Sequence, residues 1–207
     1  MRSLFNQPLP SITLYAGVCG VLVPVVVFAF LGLALASSPW FDWTRHALSD
    51  LGIAAASATF FTYGMIFGGI FLFVFSLGLL QVLSKKLGAY LFLFSSWALV
   101  GIGIFDETLF PLHYLTSASF FVLLTCALFF VGVTAKQNFY GRQMGTTALL
   151  FGMVTVCSTM FFFLIPGIAI PEALSCFPAF FWCMVVGFKM IGIRTTTASR
   201  QGIKLLQ

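Results

Sequence analysis

Long apolar runs alternate along the chain with short polar or turn-rich breaks. Six runs lie at about 12–36, 57–83, 87–105, 113–135, 144–165 and 174–193, each near the roughly 20 residues a helix needs to cross a bilayer. They are too long and too uniformly apolar for the alternating strands of a membrane barrel. Lipid offers no partner for open backbone groups, so each run is predicted to be a helix. The first run, about 25 residues, exceeds the roughly 7–15 residues of a signal peptide's apolar core and continues into Ser37-Ser38-Pro39-Trp40. It reads as a retained first helix. The expected fold is all-α, a polytopic integral membrane protein. One membrane domain spans 1–207 as a bundle of six transmembrane helices, with 194–207 as a cytoplasmic tail.

Composition agrees. Of 207 residues, 60% are hydrophobic and 7% charged, and the mean hydropathy is +1.08. Soluble domains carry roughly 25% charged residues. A chain so poor in charge cannot cover a water-facing surface, so its solvent is mostly lipid. The net charge is +5, but the positions matter more than the sum. Arg2, Lys85, Lys86, Lys136, Arg142, Lys189, Arg194, Arg200 and Lys204 fall on one side of a six-helix topology, and Arg45 alone falls on the other. The positive-inside rule makes the nine-charge side cytoplasmic, both termini included, and places the chain in the cell membrane as a multi-pass protein. The basic residues form no clustered face, which excludes nucleic acid as a partner. The cysteines at 19, 126, 157, 176 and 183 lie in apolar stretches without a C-x-x-C pair and read as small hydrophobes. Gly64-x-x-x-Gly68 reads as close helix packing, with a homo-oligomer face as the alternative.

The acids change the picture. Asp42, Asp50, Asp106, Glu107 and Glu172, with His46 and His113, all fall in the three outer connections or at the helix ends beside them. Trp40 and Trp43 suit an interfacial aromatic belt. Glu172 follows Pro171 just before the sixth run, where an acid meets the positive end of a helix dipole. Asp106 and Glu107 follow the third run, where the dipole disfavours acids, so something else must compensate them or they sit in water. His46, Ser49 and Asp50 share a face if that stretch is helical, and His113 and Ser117 are four apart. Such a set suits a divalent metal such as zinc, held by His46, Asp50, Glu107 and His113. It equally suits acid–base work by His46, Ser49, Asp50, Glu107 and His113, or a binding rim. Structural pairing of Arg45 with an acid competes with all three. There is no H-E-x-x-H, G-x-S-x-G, Walker loop or G-x-G-x-x-G.

The run from Phe41 to Gly52, FDWTRHALSDLG, resembles the "W-F-x-W…A-L-S-D-L-G" signature of a prokaryotic membrane family catalogued as domain of unknown function 998 (DUF998). Gly103-Ile104-Phe105-Asp106-Glu107, then His113-Tyr114 and Phe120-Phe121, is similar to that family's "G-I-F-P-E…H…F-F" segment. Ile170-Pro171-Glu172 with Ser175 and Trp182 resembles its "I-P-E…S…W" segment. One position departs: Asp106 stands where the family has proline. The resemblance implies a six-helix membrane fold and points to Ser49, Asp50, Glu107, His113 and Glu172. It gives no established activity. A more distant similarity to six-helix proteins of the Frag1/DRAM/Sfk1 kind implies lipid-related roles by analogy.

The expected binding set is Arg45, His46, Ser49, Asp50, Asp106, Glu107, His113, Ser117, Glu172 and Ser175. Its first reading is an outward-facing pocket for a small polar molecule, an ion or a lipid head group, with membrane lipid as partner. No charge lies near a helix midplane, so recognition at the outer surface is favoured over transport. The alternatives are a lipid hydrolase or transferase, metal-dependent or not, and a structural or assembly protein.

Overall fold

The computed structural model describes residues 11–134 and 141–205. Among them are six long helices and no strand: α1 Ser11–Ala36, α2 Ala58–Val82, α3 Leu87–Ile104, α4 Leu112–Thr134, α5 Gly141–Ser158 and α6 Ala169–Leu205. All six are long and apolar enough to cross a membrane. Arg2 and Lys136 lie outside the described residues.

Three boundaries differ clearly from the sequence expectation. α5 stops at Ser158 and continues as a 3₁₀ turn, Thr159–Phe163. α6 begins at Ala169, five residues earlier than expected, because Pro171 and Glu172 sit inside its first turn, where a missing N–H leaves no bond unmade. It then runs on through the expected tail to Leu205. Its 37 residues reach about 55 Å, far beyond the roughly 30 Å of hydrocarbon.

The helices form a closed ring. Each packs on the next in sequence, and α6 returns to α1. Glycines permit the closest approaches. A Cβ on Gly187 of α6 would lie 2.5 Å from the Gly17 carbonyl oxygen of α1. Gly64 and Gly68 face Phe30 and Val27 of α1, and Gly69 faces α3. The G-x-x-x-G face thus packs against α1 within the chain. The ring's centre is filled by aromatic rings. Trp182 of α6 stacks on Phe92 of α3 with planes 4° apart, and Phe75 of α2 meets both edge-on. The Trp182 indole N–H donates to the Met144 carbonyl of α5 at 3.2 Å, which satisfies the one polar group of this aromatic cluster. The outer faces carry large apolar side chains such as Trp97, Phe94 and Phe188, as a lipid solvent requires.

The ring closure makes a prediction. Gly187→Ala puts its Cβ against α1 backbone, which cannot rotate away, and should cost about 1–3 kcal/mol. Thermal unfolding in detergent should show a lower midpoint. Gly32→Ala, whose Cβ meets nothing within 4 Å, should hold or raise it. Equal responses would contradict the closure.

Candidate functional site

The connections after α1, α3 and α5 lie at one end of the ring, and the α1–α2 connection is built around backbone donors that need partners. Gly167 N donates to Thr44 O at 2.8 Å, and Ile168 N and Ala169 N both donate to His46 O, at 3.1 and 2.9 Å. These are N–H groups at and just before the α6 N-terminus, which a helix cannot satisfy itself. The favour is returned: Glu172 Oε2 accepts from Leu48 N at 2.6 Å. Leu48 opens a 3₁₀ turn, Leu48–Gly52, whose other free donor, Ala47 N, bonds Asp50 Oδ2 at 2.8 Å. Two acids therefore hold the loop by capping it. Gly167 is required by space, since a Cβ there would lie 2.5 Å from the Arg45 carbonyl carbon.

The α3–α4 connection joins through Ser49, whose hydroxyl donates to Glu107 Oε1. The Asp50 carboxyl lies close enough to Glu107 to act on it electrostatically. His113 Nδ1 lies 2.6 Å from the Phe105 carbonyl, which can only accept, so Nδ1 carries a proton. In the neutral ring Nε2 is then an acceptor, and the Ser117 hydroxyl lies 3.3 Å from it.

These groups border a cavity of about 730 Å³. Glu107, His113, Ser49 and Glu172 line its loop end. Phe121, Val122 and Val156 form its walls deeper along α4 and α5. It lies where α4 and α5 part. Toward the other end of the ring the two helices are pinned, with Gly132 against Gly145 and Leu149, and Gly152 against Phe129. Beyond Cys126 and Thr155 they separate. Tyr114, Val122 and Val156 line the cavity yet are 64%, 61% and 50% exposed, so the cleft also opens sideways on the lipid-facing surface.

Of the residues expected from sequence, the structure gathers Ser49, Glu107, His113, Ser117, Glu172 and Ser175 around this cleft, with Asp50 behind Glu107. Three lie apart. Arg45 is exposed and pairs with Asp42 at 3.6 Å. His46 is not on one face with Ser49 and Asp50, because the 3₁₀ turn starts after it. Its Nδ1 accepts from Asp42 N at 2.9 Å and its ring packs on Trp40 and Phe41. Asp106 is compensated within its own loop by the Thr108 N–H and hydroxyl, at 2.9 and 2.5 Å. With His46 turned away, the set His46, Asp50, Glu107 and His113 is not assembled. No three His, Cys, Asp or Glu among the described residues are arranged to hold a metal ion.

The profile of a family described as protein of unknown function (DUF998) matches residues 18–189. The chain belongs to the DUF998 family. No curated protein and no solved structure matches it. Of the positions to which the DUF998 resemblance pointed, Ser49, Glu107, His113 and Glu172 line the loop end of the cleft, and Asp50 caps the turn that carries Ser49. Sequence reasoning missed the far wall of this DUF998 chain. Thr155 and Ser158 of α5 lie there, their hydroxyls bonded to Ser175 O at 3.2 Å and Ser175 Oγ at 2.8 Å. The available signal was two hydroxyls three apart on one face of an otherwise apolar helix end.

Burial pushes the Glu107 carboxyl above its ordinary range. The Asp50 carboxyl adds to this, while the Ser49 hydroxyl and His113 oppose it. Glu107 thus holds its proton more tightly when folded. Its stabilising contribution is full below the ordinary glutamate value of about 4.3 and is lost as pH rises through the raised one. Asp42 and Asp106 are held low, chiefly by the Thr44 and Thr108 hydroxyls, and have the opposite sign. Their effect cancels between wild type and variant. Glu107→Gln, neutral at every pH, should flatten the fall in unfolding midpoint across that window. Superimposable pH profiles would show that Glu107 carries no such load.

Proposed function

We propose that this protein binds an amphiphile in the cleft between α4 and α5, with the polar head at Glu107, His113 and Glu172 and the chain along the walls. The observation that carries this reading is the cleft's polarity and shape. One end is lined by ionisable groups, the walls by Phe121, Val122 and Val156, and the side is open where lipid would lie. Its volume falls within the about 300–1,000 Å³ of small-molecule sites. Ionisable groups at membrane level are costly and commonly mark function. A lipid-like molecule could enter from the bilayer without leaving it. In this reading the protein resides in the cell membrane with cytoplasmic termini, supported by the sequence order, which assigns nine of ten basic residues to one side of a six-helix topology. The cleft then faces outward.

One observation favours a second reading, a lipid hydrolase or transferase. Ser117 Oγ lies beside His113 Nε2, and the ring is oriented by the Phe105 carbonyl. That is the arrangement of a nucleophile and its base. Labelling of Ser117 by a fluorophosphonate amphiphile, lost in His113→Ala, would establish it.

The binding reading is tested by filling the cleft. Ala118 lies on α4 between Tyr114 and Val122 and lines it. Native mass spectrometry of protein released from native membranes should show a retained lipid-like molecule. Ala118→Trp should lose it while keeping its melting temperature within a few degrees. An identical set of bound masses in both proteins would contradict the assignment of the cleft.

A further inference from the structure

We propose that the occupant of the cleft is a single-chain amphiphile whose head is a protonated amine. This rests on the reading of the cleft as an amphiphile site and specifies its ligand class.

The argument is a count of donors and acceptors. The Ser49 hydroxyl is donated to Glu107. The Thr155, Ser158 and Ser175 hydroxyls are donated to the backbone carbonyls of Phe151 or Ser175, Thr155 and Pro171. The Ser117 hydroxyl meets the only free nitrogen of His113. What remains for a ligand at the loop end is mainly acceptors, the Glu107 and Glu172 carboxyls, with Asp50 adding negative charge; the Tyr114 hydroxyl, on the exposed side of the cleft, is the exception. Among the described residues no Lys or Arg lines the cleft. The guanidinium in the same loop, Arg45, is exposed and engaged with Asp42.

Carboxylates gathered out of water without a cation need compensation. Glu172 gives one oxygen to Leu48 N, and Ser49 gives its hydroxyl to Glu107, but neither contact brings a positive charge. An ammonium head, with three donors and one positive charge, fits what is left. A phosphate or carboxylate head would bring more acceptors and more negative charge to a place where those already predominate. The walls set the other half of the ligand. Cleft-lining positions on α4 recur every four residues, His113–Ser117–Phe121–Thr125 and Tyr114–Ala118–Val122–Cys126. They form a groove about 20 Å long, turning apolar at Phe121 and Val122, with room for one chain along the helix.

The test uses full-length protein in nanodiscs and three probes of one chain length: dodecylamine, dodecanol and dodecanoic acid. The amine should bind at least tenfold more tightly than the alcohol, and the acid most weakly. In Glu107→Gln and in Glu172→Gln the preference for amine over alcohol should shrink to about twofold or less. N-acetyl dodecylamine, which lacks the charge, should behave as the alcohol does on the wild type, so the claim remains testable if a variant fails to fold. Equal binding of all probes, or tighter binding of the acid, would overturn the charge selection and leave the amphiphile cleft standing. Failure of every probe to bind, with Ala118→Trp indistinguishable from wild type, would overturn the cleft reading itself.

Discussion

The His46 carbonyl receives the Ile168 and Ala169 amides at the N-terminus of α6, and the Glu172 side chain receives the Leu48 amide in return. This reciprocal capping joins segments more than a hundred residues apart in sequence. Each partner solves the other's problem, since both are helix starts with N–H groups that nothing local satisfies. Gly167 lets the backbones come close enough. Once the loop after α1 is fixed on α6, Ser49 is placed where Glu107 can accept its hydroxyl. The α3–α4 connection is thereby drawn over the same end. Every polar group of the cleft's loop end is located, directly or at one remove, by that exchange.

The rest of the ring explains why a cleft opens here and not elsewhere. Six helices in a lipid solvent gain nothing from burying apolar faces against water, so they associate where small residues allow close packing and where polar groups find partners. α1 and α6 close on Gly17 and Gly187, and α1 and α2 on Gly64 and Gly68. α4 and α5 share such contacts only toward the basic end, at Gly132, Gly145 and Gly152. Toward the acidic end their facing residues are Phe121, Val122, Val156 and Thr159, which leave space between them. The acids of the loops border that space, so these ionisable groups lie at the opening between α4 and α5.

Much of this was legible in sequence because lipid imposes a simple pattern. Run lengths located the first four helices to within a few residues, but α5 ends earlier than its apolar run, α6 continues past its own, and a proline misplaced the start of α6. Pro171 and Glu172 read as preceding a helix, and they belong to its first turn. The gathering of Ser49, Glu107, His113 and Glu172 at one end followed from topology, since connections after odd-numbered helices share a side. The identity of each partner did not follow. His46 was grouped with Ser49 and Asp50 by assuming an α-helical spacing, but a 3₁₀ turn beginning at Leu48 leaves it outside. Asp106 was read as needing help, and it finds that help two residues on at Thr108. The far wall, Thr155 and Ser158, was hidden in an apolar run, because hydroxyls that bond their own helix leave little trace in hydropathy.

Amide hydrogen exchange in nanodiscs tests the capping exchange most directly. The amides of Leu48, Ile168 and Ala169 should exchange slowly, as buried helical amides do. Glu172→Ala should speed exchange at Leu48 and through the turn that follows it. If Leu48 and Ala169 exchange in the wild type as fast as an unstructured loop, the three connections are not held together, and the cleft they border has no fixed end.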